Sequence, residues 1–170
     1  MTEGKIENVV GAMALALADA VLHDAQDHAP EPGLAAAAIV LLGHDPGMTI
    51  ERLRRALLLS HPGAVRLVDR LVAEGAVVRQ PRPDDRRAVA LRLTEAGDRS
   101  SALILDARRT RLARALAALE PGERRTLGRL AEKLLASFIR DVDHAYATCR
   151  LCDSASCPDC PVDAALSARA

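Results

Sequence analysis

The chain's 170 residues predict a mainly α-helical fold carrying one two-stranded β-hairpin, with long helices before and after it. Three observations lead there. Apolar residues recur at intervals of three and four over most of the length, the signature of helices that bury one face. Only residues 77–79 and 88–93 read as β-strands, the second alternating in polarity. Rings are almost missing, with Phe138, Tyr146 and no Trp, so the core must be built from Leu, Val, Ile and Ala packed between helices.

Each element has a local cause. Residues 5–27 place Ile6, Val9, Val10, Met13, Leu17, Val21 and Leu22 at helical spacing, and Pro30, Pro32 and Gly33 break the pattern. Residues 34–43 are apolar on every side, which suits a helix inside the domain, with Gly43 at its end. His44-Asp-Pro-Gly47 is a turn. Thr49 is placed to cap a helix over about 49–56, with Glu51 in the first turn, where the helix dipole favours an acid. Ser60 is the next N-cap, followed by Pro62, and Val65, Leu67, Val68, Leu71 and Val72 form a buried stripe that stops at Gly75. Between the two strands, residues 81–87 are too polar and proline-broken for anything but a loop. Thr94 caps a long helix to about 119. Pro121 opens a last helix, whose Leu127, Leu130, Leu134, Leu135, Phe138, Ile139, Val142 and Tyr146 keep the three-and-four spacing. Residues 161–170 read as a frayed tail.

Net charge is zero, but its distribution is uneven. Residues 50–114 carry +7, residues 1–49 carry −6 and residues 115–170 carry −1. A basic middle on a balanced chain is the footprint of a phosphate-facing surface. Of 23 basic residues 21 are Arg, whose forked guanidinium suits phosphate and guanine better than Lys does. The scarcity of rings argues against single-stranded nucleic acid, which is held by stacking.

Capped helix, strand, arginine-rich tip, strand and helix start, in that order, form a winged helix-turn-helix: a three-helix core plus a two-stranded wing. Such a fold lays the helix beginning at Ser60 in a major groove of double-stranded DNA. Its reading face would be Ser60, His61, Gly63, Ala64 and Arg66, the small residues allowing close backbone approach and His61 and Arg66 donating to base edges or phosphate. Arg70 either reaches phosphate or pairs with Glu74 one turn on, and pairing is favoured. Arg86 or Arg87 at the wing tip would enter the minor groove, with Arg82 on backbone.

Residues 34–119 resemble the MarR family of winged helix-turn-helix regulators. The resemblance rests on Leu59-Ser60, Val65-Arg-Leu-Val-Asp-Arg-Leu71, Glu74-Gly75, Asp84-Asp-Arg-Arg87 and Leu93-Thr-Glu-Ala-Gly97. It implies that the first and last helices intertwine into a homodimer, so that two reading heads meet a pseudo-palindromic operator. It also implies that Asp85 braces Arg87 in the wing. The resemblance suggests a repressor released by a signal. The family often binds small aromatic effectors between the dimer helices and the reading head, but this chain has few rings to line such a pocket. The implied layout is an N-terminal dimerisation helix and linker (1–33), the DNA-binding domain (34–97), C-terminal dimerisation helices (98–148) and a tail (149–170).

That tail departs from the family. It holds all four cysteines, Cys149, Cys152, Cys157 and Cys160, as two Cys-x-x-Cys pairs four residues apart. Thiolates at this spacing suit one zinc ion; an iron–sulfur cluster, a redox or disulfide pair, and unligated thiols are the alternatives. His144 stands close enough in sequence to add a ligand, although a helical surface role suits it better. Loss of metal, or thiol oxidation, could then reset the dimer helices. The competing function is a metal- or redox-active cysteine protein, enzyme or interaction module, whose basic middle binds another acidic partner. Against an enzyme stand the lack of a Gly-rich nucleotide loop and of any nucleophile–base pattern, the five histidines being scattered. Residues 9–18 imitate a signal-peptide core, but Glu3 and Glu7 outnumber Lys5 in its flank. No apolar run reads as approaching the length of a membrane span, and the expected location is the cytoplasm.

Overall fold

The computed structural model describes residues 2–81 and 89–168. Its elements are α1 (Glu3–Gln26), α2 (Ala35–His44), α3 (Ile50–Ala56), α4 (His61–Ala73), β1 (Val77–Pro81), β2 (Val89–Leu93), α5 (Glu95–Leu116), α6 (Pro121–Phe138), α7 (Val142–Thr148), a 3₁₀ turn at Ser154–Ser156, and α8 (Pro161–Ser167). The mainly helical fold with one hairpin is as the sequence predicts.

The core is organised on α2, whose residues 35–42 are all buried. Leu53 of α3, Val68 and Leu71 of α4, Leu91 of β2 and Ile104 of α5 close around it, each with no measurable exposure. Burying a side chain of this size stabilises by about 1.5–3 kcal/mol, so this cluster is the main cohesive element of the reading head. Gly43 does not end α2, contrary to its expected role. It lies one residue inside the helix, where a Cβ would stand 3.3 Å from Ser101 Oγ of α5, so the missing side chain serves close helix packing.

The hairpin is antiparallel, Val77 pairing with Leu93 and Pro81 with Val89. The turn before α3 adds two rungs to β2: Gly47 N donates to Leu91 O and Leu91 N donates to Met48 O, both at 2.9 Å. Gly47 has φ +104°, a conformation that strongly favours glycine.

The start of α5 is locked to the end of α4. Thr94 Oγ1 accepts from Gly97 N at 3.1 Å and donates to Gly75 O at 2.6 Å, while Thr94 N donates to Ala76 O at 3.0 Å. Gly97 lies so close to that carbonyl that an added Cβ would stand 2.1 Å from it. Farther along α5, Arg111 grips Asp24 of α1 with two hydrogen bonds of 2.7 Å, and Ser100 Oγ donates to His28 O at 2.7 Å.

The terminal helices are left bare. In α1, Ile6, Val9, Val10, Met13 and Leu15 are exposed, and in α6 Leu130, Leu134 and Phe138 are more than half exposed. With 24 residues and a mean hydropathy of 1.4 over its most apolar stretch, α1 is long and apolar enough to cross a membrane by length and composition. That corrects the expectation that no such run exists; scattered Gly and Ala carry the apolar stretch past the more obvious branched residues.

Two expectations about the C-terminus fail. The last helix does not continue to Tyr146. It stops at Phe138, Ile139 turns extended (ψ 127°) to bury its side chain with Ala145 and Val162, and Asp141 caps α7 by accepting from His144 N at 2.8 Å. The apolar spacing survives the break, which is why periodicity alone hides it. Residues 161–167 are not frayed: Pro161 opens α8, and Val162 anchors it. The long helix before them ends at Leu116, a little short of 119.

Gly97→Ala should destabilise by roughly 3 kcal/mol, because backbone rather than a flexible side chain must yield. Gly128→Ala, in α6 with nothing within 4 Å of the new Cβ, should stabilise by about 0.5–1 kcal/mol. Thermal unfolding of the two variants beside the parent checks the contrast, and a neutral Gly97→Ala would refute the clamp.

Candidate nucleic-acid interface

Helix α4 owes its start to Ser60, which is extended (ψ 156°) and whose Oγ accepts from Gly63 N at 3.2 Å, with Pro62 in the first turn, where an amide hydrogen is not needed. Val68, Leu67 and Leu71 face the core, while Ser60, His61, Arg66, Asp69 and Arg70 face outward. Gly63 is half-buried, with its open side against Ser60 and Leu59. Ala64 does not belong to the outward face. It is fully buried, because the core stripe begins one residue earlier than the larger apolar side chains suggest.

Arg70 is paired, but not with Glu74. It reaches across the linker to Glu31, 39 residues away, forming an ion pair with a carboxylate that is mostly shielded from solvent. Burial of Glu31 by the linker outweighs the local i,i+4 alternative, which would leave both groups in water. Asp69 takes Arg79 of β1 at 2.6 Å, fixing the hairpin against α4. Arg66 makes no ion pair among the described residues, and His61 Nδ1 stands 4.0 Å from Glu51. Arg66 and His61 therefore remain as donors beside the capped, exposed first turn.

Behind α4, helix α3 is capped by Thr49, which accepts from Arg52 N at 3.2 Å. Glu51 accepts two bonds from Arg54 at 2.7 and 2.8 Å and one from Arg55 at 3.0 Å. Those guanidinium bonds, Arg54 first, hold the Glu51 carboxyl down to about 2. The turn between the helices has a Schellman form, Leu59 N donating to Arg54 O at 2.9 Å and Leu58 N to Arg55 O at 3.2 Å. Leu58 occupies its left-handed position, φ +55°, with its side chain in solvent. Glycine usually stands there, so the sequence gives no advance sign of this turn.

The wing-tip positions Arg82, Asp85, Arg86 and Arg87 lie outside the described residues, and with them the proposed bracing of Arg87 by Asp85.

Four residues that sequence reading did not single out join the C-terminal segment to α3. The Arg52 guanidinium lies 4.6 Å from the Tyr146 ring centre, Tyr146 OH donates to Asp45 at 3.1 Å, and Asp143 faces Arg52 and Arg55 at 3.7 and 3.9 Å. The alternation of acid and base in this contact has no short-range sequence signal. It joins residues about 90 positions apart in sequence.

The four cysteines are free thiols lining one cavity of about 390 Å³, together with His44, Arg52 and Tyr146. Cys149 and Cys152 are hydrogen-bonded to each other, which pushes the Cys149 thiol up and holds Cys152 down to about 6; the charge of Arg108 adds to the lowering at Cys152. Among the described residues no three His, Cys, Asp or Glu side chains already converge into a metal-holding group. His144 is not among the residues lining this cavity.

Ser60→Ala should cost about 1 kcal/mol of stability by removing the cap, measurable by denaturant unfolding. The second prediction concerns pH. Because the folded-state Glu51 carboxyl titrates below its ordinary value, its ion pairs stabilise at pH above about 4.5 and fade as pH falls towards about 2. The stability gap between the parent and Glu51→Gln should therefore be widest above pH 4.5 and close on acidification; a gap independent of pH would contradict the pairing.

Comparison with known proteins then places the fold. A model of the MarR family matches residues 32–88. Among solved structures, RV1404 from Mycobacterium tuberculosis superposes with a TM-score of 0.71 at 22% identity, over 81% of this chain and 95% of that one. The transcriptional repressor CouR bound to a 23-mer DNA duplex gives 0.58 at 23%, over 79% and 98%. Wild-type MarR from E. coli in its apo form gives 0.54 at 24%, over 74% and 96%. No curated protein sequence matches the chain. The matched family is one of transcription regulators and not of enzymes. By that segment and by its fold, the chain belongs to the MarR family of winged helix-turn-helix proteins.

Proposed function

We propose that the chain is a homodimeric, sequence-specific double-stranded-DNA-binding regulator of the cytoplasm, acting as a repressor on a pseudo-palindromic operator. One observation supports this most: the first turn of α4 is exposed, capped and flanked by His61 and Arg66, while neighbouring charges are already engaged. Exposed amides at a helix N-terminus attract phosphate, and unengaged donors beside them can reach base edges. The wing, with Arg82, Arg86 and Arg87 braced by Asp85, would add a minor-groove contact on the strength of the family resemblance.

Dimerisation is supported by the bare apolar faces. Helices α1 and α6 leave Ile6, Val9, Met13, Leu130, Leu134 and Phe138 in water, a concentration that a soluble chain covers with a partner. A second copy covers both ends at once. In this layout residues 1–33 and 98–148 form the dimer body, residues 34–97 the reading head and residues 149–170 a tail that senses a signal. Two copies of α4 would then meet successive turns of the duplex, about 34–36 Å apart.

The test is titration of the purified protein against its own upstream DNA. Binding should prefer one sequence over random duplex and weaken steeply with salt. Arg66→Ala should weaken operator binding by roughly tenfold to a hundredfold with the fold intact. Leu134→Glu should shift the molecular mass in light scattering from dimer towards monomer. A monomeric parent protein, or one indifferent to DNA sequence, would overturn the proposal.

A further inference from the structure

We propose that the cavity between α2, α7 and α8 is a metal site in which Cys149, Cys152, Cys157 and Cys160 bind one zinc ion, positioned by His44 and braced against helix α3. The role given to this site in control of DNA binding rests on the function proposed above; the binding of the ion does not.

The sulfurs are arranged as a ring. Cys149 hydrogen-bonds Cys152 and lies beside Cys160; Cys157 hydrogen-bonds Cys160 and lies beside Cys152. Each thiol thus neighbours two others, and all four line the same cavity. They stand as two hydrogen-bonded pairs and not yet as a tetrahedron. Binding draws them together on metal–sulfur bonds of about 2.3 Å, replacing sulfur–sulfur hydrogen bonds. Four thiols and one divalent ion give a tetrathiolate centre of charge −2 and release four protons, with no change of oxidation state. The guanidinium of Arg108, which acts on Cys152 from α5, offsets part of that charge.

Two independent observations point to a ligand here. His44 lines the cavity, and its Nε2 is buried without any hydrogen-bond partner. A buried ring nitrogen left unsatisfied costs about 1–3 kcal/mol, which a thiolate sulfur would relieve by accepting from Nε2–H. His44 is thus a positioning residue that reaches the centre from the end of α2. The second observation is how little else holds the segment. Only Ile139, Ala145 and Val162 are fully buried in the cluster joining α6, α7 and α8. A unit of about 30 residues with so small a core ordinarily needs a cross-link or a metal. In a compartment where DNA is read, thiols stay reduced, so a metal is the available staple.

The staple has a direction. Cys149 is the C-cap of α7, the helix whose Asp143 and Tyr146 hold Arg52, Arg55 and Asp45. Fixing Cys149 fixes α7, and α7 braces α3 behind the reading helix. Losing the ion frees that brace without touching α4 itself.

The test uses full-length protein purified anaerobically without added metal or chelator. Elemental analysis should find one zinc per protomer, and chelation should expose four titratable thiols per protomer. Cys152→Ser should lose the ion. His44→Ala should retain one ion but release it to a chelator about tenfold faster. Hydrogen exchange should rise on metal removal in residues 142–148 and 50–56 and stay unchanged in residues 3–26. Metal-free protein with four reactive thiols, two disulfides in place of an ion, or iron with acid-labile sulfide each overturns the proposal. So does a His44→Ala variant that releases zinc at the parent rate. Because none of these measurements involves DNA, a protein that binds zinc but no operator refutes the regulatory reading and leaves this site standing.

Discussion

The approach of Gly97 to the Ala76 carbonyl is the constraint from which the rest of the reading head takes its geometry. At that point the end of α4, the start of β1, the end of β2 and the first turn of α5 meet through backbone, with Thr94 bonded to both Gly75 and Ala76. Backbone contacts of this kind tolerate little slack, since no side chain intervenes to absorb a shift. The long helix α5 is therefore oriented by the same few atoms that terminate the reading helix. Any rotation of α5, whether from a partner subunit or from its grip on α1 through Asp24 and Arg111, is passed to α4 through this joint.

Most of the reading head was legible in the sequence because its signals are local. Thr49, Ser60 and Thr94 each cap the helix expected of them, and Gly75 adopts the left-handed turn (φ +69°) that ends α4. Such caps depend on one side chain and one amide three residues on, so they survive without tertiary information. Failures came where a distant partner decided the outcome. Arg70 had a plausible neighbour in Glu74, yet Glu31 won because the linker shields it. Ala64 looked small enough for close approach to a groove, but a small residue on a helix fits a core equally well. The break at Ile139 was hidden because three residues of extended chain return the apolar face to nearly the same side. Of the candidate site, Ser60, His61 and Arg66 stand outward as read; the long-range brace from Tyr146 and Asp143 had no signal that one sequence could supply.

Charge on this surface is selective rather than simply abundant. The middle of the chain carries a large excess of Arg, but many of these side chains are held by acids: Arg54 and Arg55 by Glu51, Arg70 by Glu31, Arg79 by Asp69, Arg99 by Glu95, Arg111 by Asp24. Exposed pairs of this type contribute little stability, commonly below about 1 kcal/mol. Their effect is directional. They hold guanidinium groups along the flanks of α3 and α4 and leave the first turn of α4 as the place where positive charge is least committed. A net charge of zero is thus compatible with a strongly polarised surface.

The bare terminal helices and the cysteine cavity belong to one mechanical argument. Helix α6 buries none of its residues fully within the single chain, so whatever covers its outer face also fixes Leu135 and the α7–α8 cluster on its inner side. On that inner side stands Cys149, and beyond it the contact of Tyr146 and Arg52 with α3. Force applied at the outer face of α6 and force applied at the thiols therefore converge on the same helix, behind the reading surface. The core packed on α2 is dense and unlikely to yield by sub-ångström amounts, whereas the satellite cluster is small and held by few side chains. A two-state response would reside in the satellite cluster, with the rigid core serving as the frame against which it moves.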